Sequence, residues 1–253
     1  MKNIASLLLI FVLFNSTALA QTQTSISDLK DVKKINSKAL IGAWTTSFLN
    51  EENQEVTLTT IITEKHFVQT AYNLKEKRFD QTFGGTWSTD VNYFIFQYEF
   101  SSSDNSKVGK KERLKVEINE NNLKFGNKNI IWTKIDNGNS NELTGAWLFA
   151  TNDLSSDTRR GEQESRKTMK ILSDTRFQWI AYDTTNGQFI ATGGGKFETK
   201  NGKYIEHIEF FSRNKDRVGA TLSFDYKVKG NDWHHSGMNS SGEPLYEIWT
   251  LRK

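Results

Sequence analysis

Leu40-Ile41-Gly42-Ala43-Trp44 recurs as Leu143-Thr144-Gly145-Ala146-Trp147, 103 residues further along the 253-residue chain. From Thr57 to Gly109 a constant offset of 110 links the two halves, and 15 of those 53 positions are identical. Tyr72/Tyr182, Gly84/Gly194, Gly85/Gly195, Glu99/Glu209 and Val108/Val218 are among them. Ile131-Trp132-Thr133 then matches Ile248-Trp249-Thr250 at an offset of 117. Identity sustained at one register marks a duplicated domain. The steps from 103 to 110 to 117 place seven extra residues in copy two twice, once before Arg166 and once between Gly219 and Ile248. Shared positions are therefore expected to maintain the fold, and positions special to copy two to carry function.

Two domains of roughly 100 residues each suit the length. Aromatic residues are abundant (17 Phe, 7 Trp, 7 Tyr) and Pro244 is the lone proline, a composition that favours strands over helices. Lys+Arg number 33 against 30 Asp+Glu, with no basic block, so nucleic acid is not the expected partner. Residues 1–20 carry the marks of a secretory signal. Lys2 is followed by an apolar run from Leu7 to Phe14 and by the small-x-small site Ala18-Leu19-Ala20. The mature chain is expected to begin near Gln21, in the periplasm or secreted. The apolar run is too short to span a bilayer, so no membrane insertion is expected. There is no cysteine, so neither disulfides nor lipid attachment enter, and each core must suffice alone.

Residues 21–38 are polar and read as a linker, followed by a first domain over 39–136 and a second over 143–253. In copy two, strands are expected at Trp147–Thr151, Arg166–Leu172, Arg176–Asp183, Gly187–Phe197, Tyr204–Ser212, Val218–Lys229 and Tyr246–Arg252. Copy one has the same order, with Asn121–Lys124 and Asn129–Lys134 as its last hairpin. Turn signals such as Thr185-Asn186-Gly187, Lys200-Asn201-Gly202 and Lys229-Gly230-Asn231 separate the strands. The fold class is all-β: two tandem antiparallel β-barrels of about eight strands each.

Gly42-Ala43-Trp44 and Gly145-Ala146-Trp147 resemble the Gly-x-Trp opening of lipocalins, whose Trp packs across the closed end of an eight-stranded barrel. Copy two also resembles a lipocalin-like family of unknown function from polysaccharide-digesting Gram-negative bacteria. The resembling stretches are Gly194-Gly195, Tyr204-Ile205-Glu206, Val218-Gly219, Asn231-Asp232-Trp233-His234-His235-Ser236-Gly237 and Glu247-Ile248-Trp249. Some tandem proteins of this kind look like periplasmic dehydratases of ulvan oligosaccharides. The resemblance thus implies a lyase acting on an anionic oligosaccharide, with a non-catalytic binding protein for an oligosaccharide or apolar ligand as the alternative.

Such elimination needs a cation for the uronate carboxylate, a base for the C5 proton and an acid for the departing C4 hydroxyl. Arg166 or Arg160 is the candidate for the carboxylate, and Arg159 belongs to the same arginine-rich insertion. His234 or His235 is the candidate base; adjacent strand residues face opposite sides, so only one of them can face a cavity. Tyr182 or His207 is the candidate acid. Trp179 and Trp233 offer rings for sugar C–H faces, and Glu206 is special to copy two. A mixed-charge solvated loop and a polar hairpin are the plainer meanings of the two insertions. His207 and Glu209 share a strand face without a third ligand, so neither a metal nor another cofactor is expected.

Overall fold

A computed structural model describes residues 34–126, 129–139, 141–152, 158–239 and 242–253. The signal segment 1–20, most of the linker and Asp157 of the first insertion lie outside the described residues.

Alternating strands fold into two closed antiparallel barrels. The first comprises β1 (Gly42–Leu49), β2 (Glu55–Ile62), β3 (His66–Asn73), β4 (Arg78–Asp90), β5 (Tyr93–Ser101), β6 (Lys111–Ile118), β7 (Asn122–Phe125) and β8 (Trp132–Asp136). The second comprises β9 (Gly145–Thr151), β10 (Arg166–Leu172), β11 (Arg176–Asp183), β12 (Gln188–Lys200), β13 (Lys203–Phe211), β14 (Thr221–Lys229), β15 (Asp232–Met238) and β16 (Pro244–Leu251). A one-turn helix, Ser37–Leu40, precedes β1. Each barrel is an up-and-down meander closed by pairing of its last strand with its first. The architecture is that of tandem lipocalin-like barrels. No helix among the described residues is long and apolar enough to cross a membrane.

The two Gly-Ala-Trp motifs plug the closed ends. Trp44 Nε1 donates to the Leu40 carbonyl and Trp147 Nε1 to the Leu143 carbonyl, both at 2.8 Å, so each buried indole is satisfied. Gly85 and Gly195 serve the wall: a Cβ would lie 2.0 Å from the Gln97 carbonyl oxygen or 2.1 Å from that of His207. Both sit at the same register shift between their strands. The bulge leaves Glu209 unmatched and reverses the alternation of β13, so Glu206 and Ile208 face inward and so does Phe211.

Most expected strands shift by one to three residues at an end, and three differences go further or change an element. The stretch from Asp232 to Met238, read as part of a hairpin with no strand bounds given, is the full strand β15, paired with both β14 and β16. Val218 does not open β14, because Lys215–Arg217 form a 3₁₀ turn and the strand begins at Thr221. The last strand of copy one runs Trp132–Asp136 and not Asn129–Lys134. Meander topology puts both extra segments of copy two at the open end. The first lengthens the β9–β10 connection to 152–165, against 50–54 in copy one. The second lengthens the final hairpin, whose strands have 7 and 8 residues against 4 and 5.

The barrels meet along outer faces of β3–β5 and β10–β13, and the contacts come in nearly twofold pairs. Tyr72 donates to Glu209 at 2.8 Å, and Tyr182 donates to Glu99 at 2.7 Å. Tyr72 packs on Phe210 and Tyr182 on Phe100, with ring centroids 5.0 and 4.9 Å apart. The pairs Tyr72/Tyr182, Glu99/Glu209 and Phe100/Phe210 are identities of the repeat, so those shared residues hold barrel to barrel. Arg176 joins Glu209 from its own barrel, whereas Arg252 of barrel 2 grips both oxygens of Glu99 at 2.7 Å. Gln178 bridges the middle: it accepts from Thr70 and donates to Thr82 and Thr192. Asp136 adds a clamp at the linker, receiving the Ala43 amide on one oxygen and Ser173 and Thr175 on the other.

His66 is buried beside this network, and burial, then the Arg252 charge, lowers its pKa from 6.5 to about 4. Above pH 6.5 the imidazole is neutral both folded and unfolded, so it is silent. Between about pH 6.5 and 4 the unfolded chain binds a proton that the folded chain refuses, and stability falls. His66→Gln is therefore expected to flatten the acid limb of a stability–pH curve by up to about 3 kcal/mol. Urea titrations at pH 7 and pH 4 check this; equal pH dependence in both proteins refutes it.

Candidate functional site

Barrel 1 is filled with rings. Phe67, Phe83, Phe94, Phe96 and Tyr98 pack at centroid distances of 5.0–6.0 Å, and Phe125 lies 5.3 Å from Phe94. At the matching positions barrel 2 has Gly193 for Phe83, Glu206 for Phe96 and His235 for Phe125. Lys170 replaces Thr60, and Glu247 replaces Ile130. Trp179 and Phe211 crowd Gly193 where barrel 1 has the Phe83 ring: a Cβ there would lie 2.8 Å from Trp179 Nε1 and 2.9 Å from Phe211. Barrel 2 encloses a cavity of about 330 Å³ lined by several of these replaced positions. Its walls are apolar (Ile208, Phe211, Leu222, Phe224, Leu245) and its floor is polar.

One ion pair and one histidine–carboxylate hydrogen bond cross the floor. Lys170 Nζ lies 3.1 Å from Glu206 Oε1, with both side chains buried. The ammonium also stands 5.0–5.3 Å from the ring centres of Tyr204, Trp233 and Trp249, whose π faces favour a cation there. His235 Nδ1 lies 3.2 Å from Glu247 Oε2, and Trp249 Nε1 donates to the same oxygen at 2.9 Å. Burial, followed by the Lys170 charge, holds the His235 pKa below the usual histidine value. Burial would raise Glu247, yet the His235 hydrogen bond and the Lys170 charge keep its carboxyl below the ordinary range. Glu247 is therefore ionised and His235 neutral at pH 7. A proton on Nδ1 facing the carboxylate leaves the Nε2 lone pair available. Nε2 is buried without a hydrogen-bond partner. An unpaired buried polar atom on a cavity-lining residue is costly, and a ligand group that donates to it would relieve that cost.

Only part of the sequence-derived candidate set converges here. His235, Trp179 and Glu206 line the cavity, and Trp233 lies beneath Lys170. His234 points to the other face of β15, with Nδ1 2.6 Å from the Tyr246 hydroxyl, as strand alternation requires. The acid candidates are displaced: Tyr182 is locked on Glu99 in the barrel interface, and His207 stands on the outer wall beside Thr221 and Glu198. The arginines are displaced too. Arg159 forks onto Asp232, Arg160 lies 5.5 Å from the Phe149 ring, and Arg166 is exposed at the start of β10. Lys170, Glu247, Trp249 and Arg217 were not among the candidates, yet all four line the cavity. Lys170 and Glu247 could have been found by asking where an interior strand position turns charged in copy two alone. Among the described residues no group of three or more His, Asp or Glu could hold a metal ion.

Fold and site together define a tandem lipocalin-like protein with one packed barrel and one hollow, polar-floored barrel. Residues 142–251, which span barrel 2, match the family model of a domain of unknown function, DUF4488. No curated protein sequence matches the chain.

Proposed function

We propose that barrel 2 performs acid–base chemistry on a sugar-sized substrate, eliminating water from a uronic-acid-containing oligosaccharide. The observation that carries this is the neutral His235, oriented by Glu247 and with its partnerless Nε2 buried beside a cavity that Lys170 also lines. In this mechanism Nε2 takes the C5 proton, the C4–O bond breaks and a C4=C5 double bond forms. Lys170 supplies the proton that lets the C4 hydroxyl depart as water. Trp179 and Phe211 offer flat apolar surface to the ring. The signal-like segment 1–20 fits an exported enzyme, periplasmic or secreted.

Incubation with uronate oligosaccharides is expected to produce the ultraviolet absorbance of an unsaturated uronate and the mass loss of one water. Because the base must be neutral and its pKa lies below 6.5, activity should persist on the acid side of the ordinary histidine range. Absence of product across uronate oligosaccharides would sink the proposal. The apolar walls favour a second reading, a non-catalytic binding barrel, and a bound but unchanged sugar would establish it.

A further inference from the structure

We infer that barrel 2 takes its sugar with the C4–C5 edge in the floor and selects an apolar surface on the unit attached at C1. The inference rests on the proposed uronate reading and names what the substrate carries beyond its acidic ring. A pyranose holds C1 on the opposite side of the ring from C4. With C5 at His235, its carboxylate enters the floor too, where Lys170 is the cation, and the C1 substituent points up the barrel. The strands fix what that substituent meets. Ile208 stands on β13 two residues nearer the open end than Glu206, and Leu245 stands on β16 two residues nearer it than Glu247. Ala220, just before β14, and Leu222, within it, complete this side of the wall. Thr168, two residues above Lys170 on β10, is polar. Arg217 and Asn239 are polar too, and each has a partner within the protein, so neither is needed to hold the ligand.

The repeat adds an independent observation. Copy one carries Tyr98, Lys110 and Glu112 where copy two carries Ile208, Ala220 and Leu222. Strand pairing confirms the match, since Phe96 opposes Glu112 as Glu206 opposes Leu222. In copy one the open end is polar, with Lys107 Nζ 3.4 Å from the Tyr98 hydroxyl and 3.3 Å from Glu112. The floor changes in the opposite sense, from Thr60, Phe96, Phe125 and Ile130 to Lys170, Glu206, His235 and Glu247. Barrel 1 is thus apolar inside and polar at this part of its mouth, as water favours, whereas barrel 2 is polar in its floor and apolar above it. Leu222 and Leu245 are only half-buried, and a ligand that covers them removes apolar surface from water. A ligand with a polar end and an apolar end matches that inversion.

Isothermal titration of the full chain with methyl and with phenyl β-D-glucuronide tests this. The phenyl glycoside is expected to bind about tenfold tighter, part of what full burial of its ring would give. Leu222→Gln should cut that preference to about twofold or less and leave the methyl glycoside nearly unchanged. Copy one carries Glu112 at this position, so the barrel tolerates a polar side chain there. Equal affinity of the two glycosides would overturn the inference, as would a preference untouched by Leu222→Gln or failure of the parent protein to bind either compound. If Leu222→Gln does not fold, the comparison of the two glycosides on the parent decides alone. A phenyl preference without an unsaturated product from either glycoside would defeat the proposed reaction and leave the apolar wall standing. Unsaturated product from both glycosides at equal affinity would do the reverse.

Discussion

Replacing Glu99 by alanine is expected to destabilise the folded protein by about 3–5 kcal/mol, the cost of stripping one partner from a buried ion pair. Arg252 is buried, donates to both Glu99 oxygens and supports the Tyr182 hydroxyl, which donates to the same carboxylate. Without Glu99, the guanidinium keeps Glu162, at a more exposed position, and the phenol loses its acceptor. A shift of roughly 10 °C in the melting temperature follows for a chain of this size. The exposed Lys203–Asp225 pair is the control: Lys203→Ala should cost about 0–1 kcal/mol. Equal effects of the two substitutions would mean that the barrel interface contributes no more than a surface contact. For the same reason, removing residues 21–136 to isolate barrel 2 would uncover Phe210, Tyr182 and Gln178, so lost activity there would say little about catalysis.

The second large effect concerns the floor. Copy one has Phe125 and Ile130 where copy two has His235 and Glu247. The double variant His235→Phe/Glu247→Ile therefore restores a pair that the same barrel already tolerates. Removing one polar partner strands the other, whereas replacing both by apolar groups is nearly neutral or stabilising. The double variant leaves only the Trp249 Nε1 donor without its acceptor, so it is expected to melt within a few degrees of the parent while losing about 10²–10⁴-fold in elimination rate, the usual contribution of a positioned base. Thermal melts and product assays on one preparation check both halves. Unchanged turnover would remove His235 from the mechanism, and a collapse in stability would show that the polar floor supports the barrel.

The fold was legible because duplication doubles every signal: one Gly-Ala-Trp is weak, and two at matching registers fix the start of each barrel. β15 was legible as a strand around His234 and His235 but without bounds, because Asp232-Trp233-His234-His235-Ser236-Gly237 lacks β-branched residues and its extent is set by pairing on both sides. The site was half legible. Attention to residues special to copy two found His235 and Glu206. The weight placed on the insertions themselves led to Arg159, Arg160 and His234, which serve loop and outer wall. Tyr182 misled in the other direction. It is the candidate acid although Tyr72 repeats it, and the repetition has a structural reason: a twofold contact demands the same identity, with each tyrosine serving the opposite barrel. Lys170 was passed over because a lysine in a strand usually reaches solvent, and nothing local in Thr168-Met169-Lys170-Ile171 announces an aromatic cage contributed by strands far away in sequence.

β11 places Gln178 and Tyr182 toward the neighbouring barrel and Trp179 toward the cavity. Association and ligand chemistry thus lie on opposite sides of one strand. A tether as short as 137–144 holds two such surfaces at an effective concentration of about millimolar or more, so a contact too weak to hold separate barrels becomes permanent. The two copies thus share their outer walls and differ inside: the surface that joins them is common to both, whereas phenylalanines crowd the interior of barrel 1 and a polar floor lies in barrel 2.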